Sequence, residues 1–137
     1  MSATALTLRV AARGGATPDL AWERYARPAL WRTWSPQITG VELPDRLVTG
    51  ADGVVHGVGG LRLDVVVLDV DEATRTWAWE VTLARLRVPG VRMRLDHAVL
   101  PGRTGGARTT LAITGPAPVV TAYAPAAWVA LRGLVRP

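Results

Sequence analysis

The chain has 137 residues, a formal charge of +5 and no cysteine. That length suits one domain, taken as residues 1–137, with room for a sizeable core, and the missing thiols exclude disulfides, Cys-ligated zinc and a cysteine nucleophile. Hydrophobic residues at 49% against 20% charged exclude a disordered polymer.

All 16 basic side chains are arginine, and lysine and asparagine are absent. This resembles the codon bias of a GC-rich bacterial genome, which accounts for the high pI without a nucleic-acid partner. The arginines are scattered rather than gathered in runs, so no nucleic acid is expected. "MSATALTLRVAAR" lacks the charged start and long apolar stretch of a secretory leader. Residues Pro118 to Val135 are apolar, but Pro125 and Arg132 interrupt them and Thr121 and Tyr123 dilute them. A buried amphipathic helix is expected there, not a membrane span, and a cytoplasmic location follows as an expectation.

In chain order, Ala3 to Val10 alternates, with Leu6, Leu8 and Val10 on one face: a half-buried strand. Thr17 followed by Pro18 starts a short helix carrying Leu20, Trp22 and Tyr25. Pro28 begins a second helix that ends near Trp34, because Ser35 precedes Pro36 and is pushed toward extended geometry. Six runs of strand character follow: Ile38 to Thr49, Val54 to Gly59, Leu61 to Val70, Thr76 to Arg85, Val91 to Leu100 and Ala107 to Thr114. The breaks between them are short ("ADG", "DEATR", "RVPG", "PGRTGG"), which predicts an antiparallel meander. A helix from about Pro118 places Val120, Ala124, Ala127, Leu131 and Leu134 at helical spacing, with Pro125 predicting a kink or a late start.

The alternation assigns faces. Val91, Met93, Leu95, His97 and Val99 share one side of their strand, opposite Arg92, Arg94 and Asp96. Trp77, Trp79, Val81 and Leu83 oppose Glu80 and Thr82, and Leu111 and Ile113 oppose Arg108 and Thr110. One sheet surface is therefore covered and the other wet. The run at Leu61 to Val70 fits less well, since Val66, Leu68 and Val70 fall on the nominally wet side.

The order of strand, two short helices, six-strand meander and long C-terminal helix is that of the α+β helix-grip fold. "LWRTWSPQITGVE" (Leu30 to Glu42) resembles the Trp-Ser-Pro segment of bacterial polyketide cyclase/dehydrase-like members of the SRPBCC (START-like) superfamily. "TWAWEV" resembles their aromatic strand, "LDHAVLPGRTGGARTTLAITGPA" their strand-turn-strand with a histidine, and "YAPAAWVALRGL" the start of their last helix. The resemblance covers nearly the whole chain. It implies a sheet curved around the C-terminal helix, a cavity between them that takes apolar small molecules, and Trp31 and Trp34 closing one end. It also allows enzymatic members that cyclise, aromatise or hydrolyse such molecules.

Among candidate site residues, His97 shares the apolar face and suits either orienting a ligand carbonyl or general-base work; a hydrogen-bonded core histidine is the alternative. His56 reads as an exposed residue near the sheet edge. Tyr25 and Tyr123 each bring a hydroxyl toward the cavity or fill space, and Trp79 and Met93 contact ligand or pack as core. The histidines lie on different strands without a carboxylate motif, so no metal is expected, and no cofactor motif occurs: "HGVGG" and "GRTGGAR" lack the strand-to-helix setting of a phosphate loop. Asp64, Glu80 and Asp96 fall on wet faces, and Ser35 and Ser2 belong to no triad. These residues predict a binder of a lipid- or polyketide-like molecule. The alternatives are a cyclase using His97 as proton shuttle with Tyr25 or Tyr123 orienting the substrate, and an interaction domain acting through the outer arginines Arg62, Arg92, Arg94 and Arg108 or as a homodimer.

Overall fold

The computed structural model describes residues 5–83 and 91–137. The fold opens with strand β1 (Ala5–Gly14) and helix α1 (Pro18–Ala26), whose Thr17 side chain accepts from the Leu20 amide at 3.1 Å as an N-cap. A 3-10 turn over Pro28–Leu30 leads into α2 (Trp31–Trp34), a single turn, so the second expected helix is split in two. Then come β2 (Ile38–Glu42), β3 (Asp52–Gly57), β4 (Leu61–Asp71), β5 (Thr76–Leu83), β6 (Arg92–Pro101) and β7 (Ala107–Pro116), followed by the long helix α3 (Ala117–Leu134). The expected break at "RVPG" lies outside the described residues, as do the first residues of the Ala3 to Val10 run and the last of Thr76 to Arg85.

One seven-stranded antiparallel sheet has the order β1-β7-β6-β5-β4-β3-β2. The meander from β2 to β7 is closed by β1, which pairs along its whole length with β7, from Ala5 opposite Pro116 to Gly14 opposite Ala107. The predicted faces hold: Met93, Leu95, His97, Val99, Trp77, Trp79, Val81, Leu111 and Ile113 are all buried. Against them α3 buries Val120, Ala127, Ala130, Leu131 and Leu134. This is the α+β helix-grip arrangement.

Three expectations change. The strand expected over Ile38 to Thr49 stops at Glu42, because Pro44 has no amide to give a ladder. The loop beyond it folds back instead, Leu47 donating to the Ala26 carbonyl at 2.8 Å, and Val67 to the Ala51 carbonyl at 2.7 Å. In β4 the pairing with β5 slips between Val67 and Asp69, a β-bulge that inverts the alternation. Val66 stays outside, while Val70 turns inward opposite Trp77 and packs against the core, which explains the untidy pattern there. Helix α3 begins at Ala117 and its helical run passes through Pro125. Pro118 falls in its first turn, where a missing amide costs nothing. No helix among the described residues is long and apolar enough to cross a membrane.

The last turn of α3 lies directly on α2. A β-carbon at Gly133 would stand 2.3 Å from the Trp34 carbonyl oxygen, a backbone atom that cannot swing aside. Alanine would gain about 1 kcal/mol of helix propensity over glycine. We expect Gly133→Ala to destabilise nevertheless, by about 1–3 kcal/mol in denaturant unfolding, because overpacking wins. An unchanged or raised midpoint would show that the two helices do not meet this closely.

Candidate functional site

The carbonyls at the end of a helix lack intrahelical partners, and α1 satisfies all four of its last ones. The carbonyl of the cap residue Arg27 accepts from the Leu30 amide at 2.9 Å and the Ala26 carbonyl from Leu47. The other two take indoles: Trp31 Nε1 donates to the Tyr25 carbonyl at 2.8 Å, and Trp34 Nε1 to the Arg24 carbonyl at 3.0 Å. The tryptophans of the short helix are thus tied to the helix before it, which fixes Trp31 as a fully buried ring and Trp34 as a half-buried one.

Trp31 meets the sheet at the two tryptophans of β5, stacking on Trp77 with centroids 5.7 Å apart and touching Trp79 edge-on at 5.1 Å. Trp77 and His97 are cross-strand partners, and their rings lie parallel at 4.0 Å and 6°. Tyr25 stands edge-on to Trp34, Trp77 and His97 at 5.2–5.5 Å. Each such pair contributes about 0.5–1.5 kcal/mol beyond area burial.

These rings enclose a cavity of about 50 Å³ between sheet and α3. Tyr25, Trp31, Trp34, Trp77, Trp79, His97 and Tyr123 line it, roofed by Ala127, Ala130 and Leu131 of α3. No charged side chain among the described residues lines it. Six of the seven sequence-predicted site residues therefore come together. Met93 does not: it is buried on the same face, opposite Val81, but packs in the core away from this lining. Trp77 is the aromatic lining residue that sequence reasoning missed, along with Ser35, Ile38, Leu111 and the α3 roof. Its inward face and its neighbours in "TWAWEV" were visible signals; its register opposite His97 was not.

His97 is 7% exposed, and its Nδ1 lies 3.3 Å from the Trp77 carbonyl. A carbonyl only accepts, so Nδ1 carries the proton and Nε2 is left as an acceptor. Burial lowers the imidazole to about 3 against the smaller opposing pull of that carbonyl, so His97 is neutral at physiological pH. Burial pushes the Tyr25 hydroxyl up, and it pairs with Thr109 Oγ1 at 3.3 Å. Tyr123 is half-buried, and burial pushes its hydroxyl up to about 12. Every titratable group at the cavity is uncharged. Two donors there are unmatched: Trp77 Nε1 and Trp79 Nε1 are buried without a hydrogen-bond partner. Each such orphan costs about 1–3 kcal/mol.

Elsewhere, His56 lies outside the cavity with its Nε2 2.6 Å from Glu42, matching the exposed reading. The outer arginines are mostly neutralised within their own face, Arg62 by Asp64, Arg92 by Glu80 and Arg94 by Asp96. A wider open trough of about 490 Å³ crosses that face, bordered by Arg9, Asp69, Arg94, Asp96 and Arg108. Its lining also reaches Trp77 and His97, the stacked cross-strand pair that lines the cavity on the other side of the sheet. No group of three or more His, Asp or Glu side chains with metal-site geometry occurs among the described residues.

A family model described as "Polyketide cyclase / dehydrase and lipid transport" matches residues 6–136. Two similar solved structures are Ara h 8.0201, with 15% identity, a TM-score of 0.71 and coverage of 96% of this chain and 98% of that one, and protein MLL2253 from Mesorhizobium loti, with 18% identity, a TM-score of 0.77 and coverage of 94% and 93%. At such identities these two speak for the fold alone. No curated protein matches the chain.

The state of His97 has a consequence for stability. Its ordinary value is near 6.5 and its folded value near 3. Between those limits the unfolded chain binds a proton that the native chain refuses, so the stability held above about pH 6.5 declines as pH falls toward 3. We expect His97→Phe to flatten the fall in unfolding free energy between pH 7 and pH 4.5 relative to the parent chain. Parallel curves would mean that His97 titrates normally and is not enclosed.

Proposed function

Because the chain belongs to the polyketide cyclase / dehydrase and lipid transport family, we propose that it binds an apolar, ring-sized small molecule between the sheet and α3. The observation that carries this reading is a charge-free, aromatic-walled cavity roofed by small side chains. Aromatic walls with a few fixed polar groups are the usual make-up of a small-molecule site.

The cavity as it stands holds a water or two, far less than a ring compound needs. Entry therefore requires α3 to move outward, and its construction permits this. Pro125 removes one intrahelical hydrogen bond near the middle of the helix, and Ala127 and Ala130 interlock weakly with the rings below. One side-chain clip joins α3 to the chain between α2 and β2, Gln37 Nε2 donating to the Ala126 carbonyl at 3.0 Å.

The chemistry favours binding over turnover. A general base works best with a value near the operating pH, whereas His97 is lowered to about 3 and both tyrosines are raised. Asp64, Glu80 and Asp96 all belong to the outer face of the sheet, and none of them lines the cavity as a carboxylate base or acid.

Calorimetric titration with indane, a compact bicyclic hydrocarbon, tests the reading. We expect saturable binding to the parent chain, weakened at least about tenfold in Ala127→Leu, a variant that fills the roof while retaining a cooperative unfolding transition. Equal affinity for both proteins would locate any binding outside the cavity, and no binding to the parent of either indane or its ketone, indan-1-one, would contradict the reading.

A further inference from the structure

We propose that the ligand is a neutral carbonyl compound, a ketone, quinone, lactone or ester, whose oxygen accepts from the indole N–H groups of Trp77 and Trp79. This specifies the occupant of the cavity described above and rests on that reading.

Three observations lead there. First, the two indoles are neighbours on one face of β5, with centroids 5.0 Å apart and 2% and 7% exposure, and both line the cavity. Their Nε1 atoms are buried with no acceptor among the described residues. The other enclosed indoles are matched: Trp22 donates to Glu72 at 3.1 Å, Trp31 to the Tyr25 carbonyl and Trp34 to the Arg24 carbonyl. The unmatched donors are thus confined to the two tryptophans of β5 in this aromatic cluster. Buried donors without partners are rare in folded proteins and call for an explanation at the position where they occur.

Second, the acceptors that the lining does carry, His97 Nε2 and the tyrosine oxygens, bond neither indole, which leaves the place for an acceptor from what enters. The Trp77 carbonyl already receives His97 Nδ1. A ligand that packs on these rings without an acceptor leaves both donors unpaired, whereas one that supplies an acceptor removes that cost. A pure hydrocarbon fails this test and an oxygen acceptor passes it.

Third, the acceptor has to be neutral. Among the described residues no arginine lines the cavity, and the imidazole beside it is uncharged. An ionised carboxylate would be buried without a cation, which is prohibitive. The site thereby discriminates against free fatty acids as well as against plain hydrocarbons.

Matched probes decide the matter: indane, indan-1-one and indane-2-carboxylate titrated by calorimetry, with the infrared carbonyl stretch of indan-1-one followed on binding. We expect indan-1-one to bind the parent chain at least about tenfold more tightly than indane, roughly 1.4 kcal/mol, and the carboxylate to bind weakest. The bound ketone's stretch should shift to lower frequency. In Trp77→Phe and Trp79→Phe, each checked for cooperative unfolding, the ratio of indan-1-one affinity to indane affinity should fall toward one, whatever the substitution does to the affinity for indane itself. Equal binding of indane and indan-1-one, or an unshifted carbonyl in the parent chain, would overturn the carbonyl assignment and leave the cavity reading standing. Absence of binding by every probe would overturn both. The infrared result needs no variant, so a substitution that fails to fold does not rescue the proposal.

Discussion

The closed end of this fold depends on how the last turn of α1 satisfies its carbonyls. Two of the four are capped by indole N–H groups from a helix only one turn long. Such a helix has almost no stability of its own, so the rings, worth roughly 2–3 kcal/mol each when buried, hold it in place. The same bonds use up the polar ends of Trp31 and Trp34 and turn their faces to the sheet. What they meet there is Trp77, already stacked on His97 across the strands.

From that junction the character of the cavity follows. A wall of aromatic carbon lowers the local dielectric, and the groups inside respond by staying neutral: His97 without its second proton, Tyr25 and Tyr123 with theirs. The charged side chains are displaced to the outer face, where arginines and acids pair across and along the strands. Function in such an interior rests on shape and on the few polar atoms whose partners are missing. The fold puts two of these, the Trp77 and Trp79 N–H groups, on neighbouring inward positions of one strand.

Much of this was legible in the sequence because alternation is a local signal. The inward sets on β5, β6 and β7 could be read directly, and His97 with them. Proline placement marked the ends of α1 and α2. Less legible were features set by distant parts of the chain. The β4 bulge, which brings Val70 inside, is stabilised by the loop at Gly50 and Ala51 bonding to Val67, and nothing within β4 announces it. Pro125 suggested a kink or a late start, and α3 does not start late: it runs from Ala117 through Pro125, with Val120 and Ala127 buried on either side. Met93 was grouped with the site by its face alone. Its position along the strand, two pairs beyond His97, places it outside the ring cluster. Trp77 was passed over for the converse reason: its importance lies in register with His97 and contact with Trp31, neither of which periodicity encodes.

The central claim is that this aromatic junction admits a small molecule and offers it two free indole donors. Nitrogen-15-edited NMR of the six tryptophan side chains during titration with indan-1-one reads it most directly. The account predicts that the Trp77 and Trp79 indole protons begin at the upfield positions of unbonded N–H groups and move downfield together as the ketone binds. Those of Trp22, Trp31 and Trp34, already bonded, should change little. Indole signals for Trp77 and Trp79 that remain still while the ketone is added to saturation, or that start at bonded positions in its absence, would contradict it.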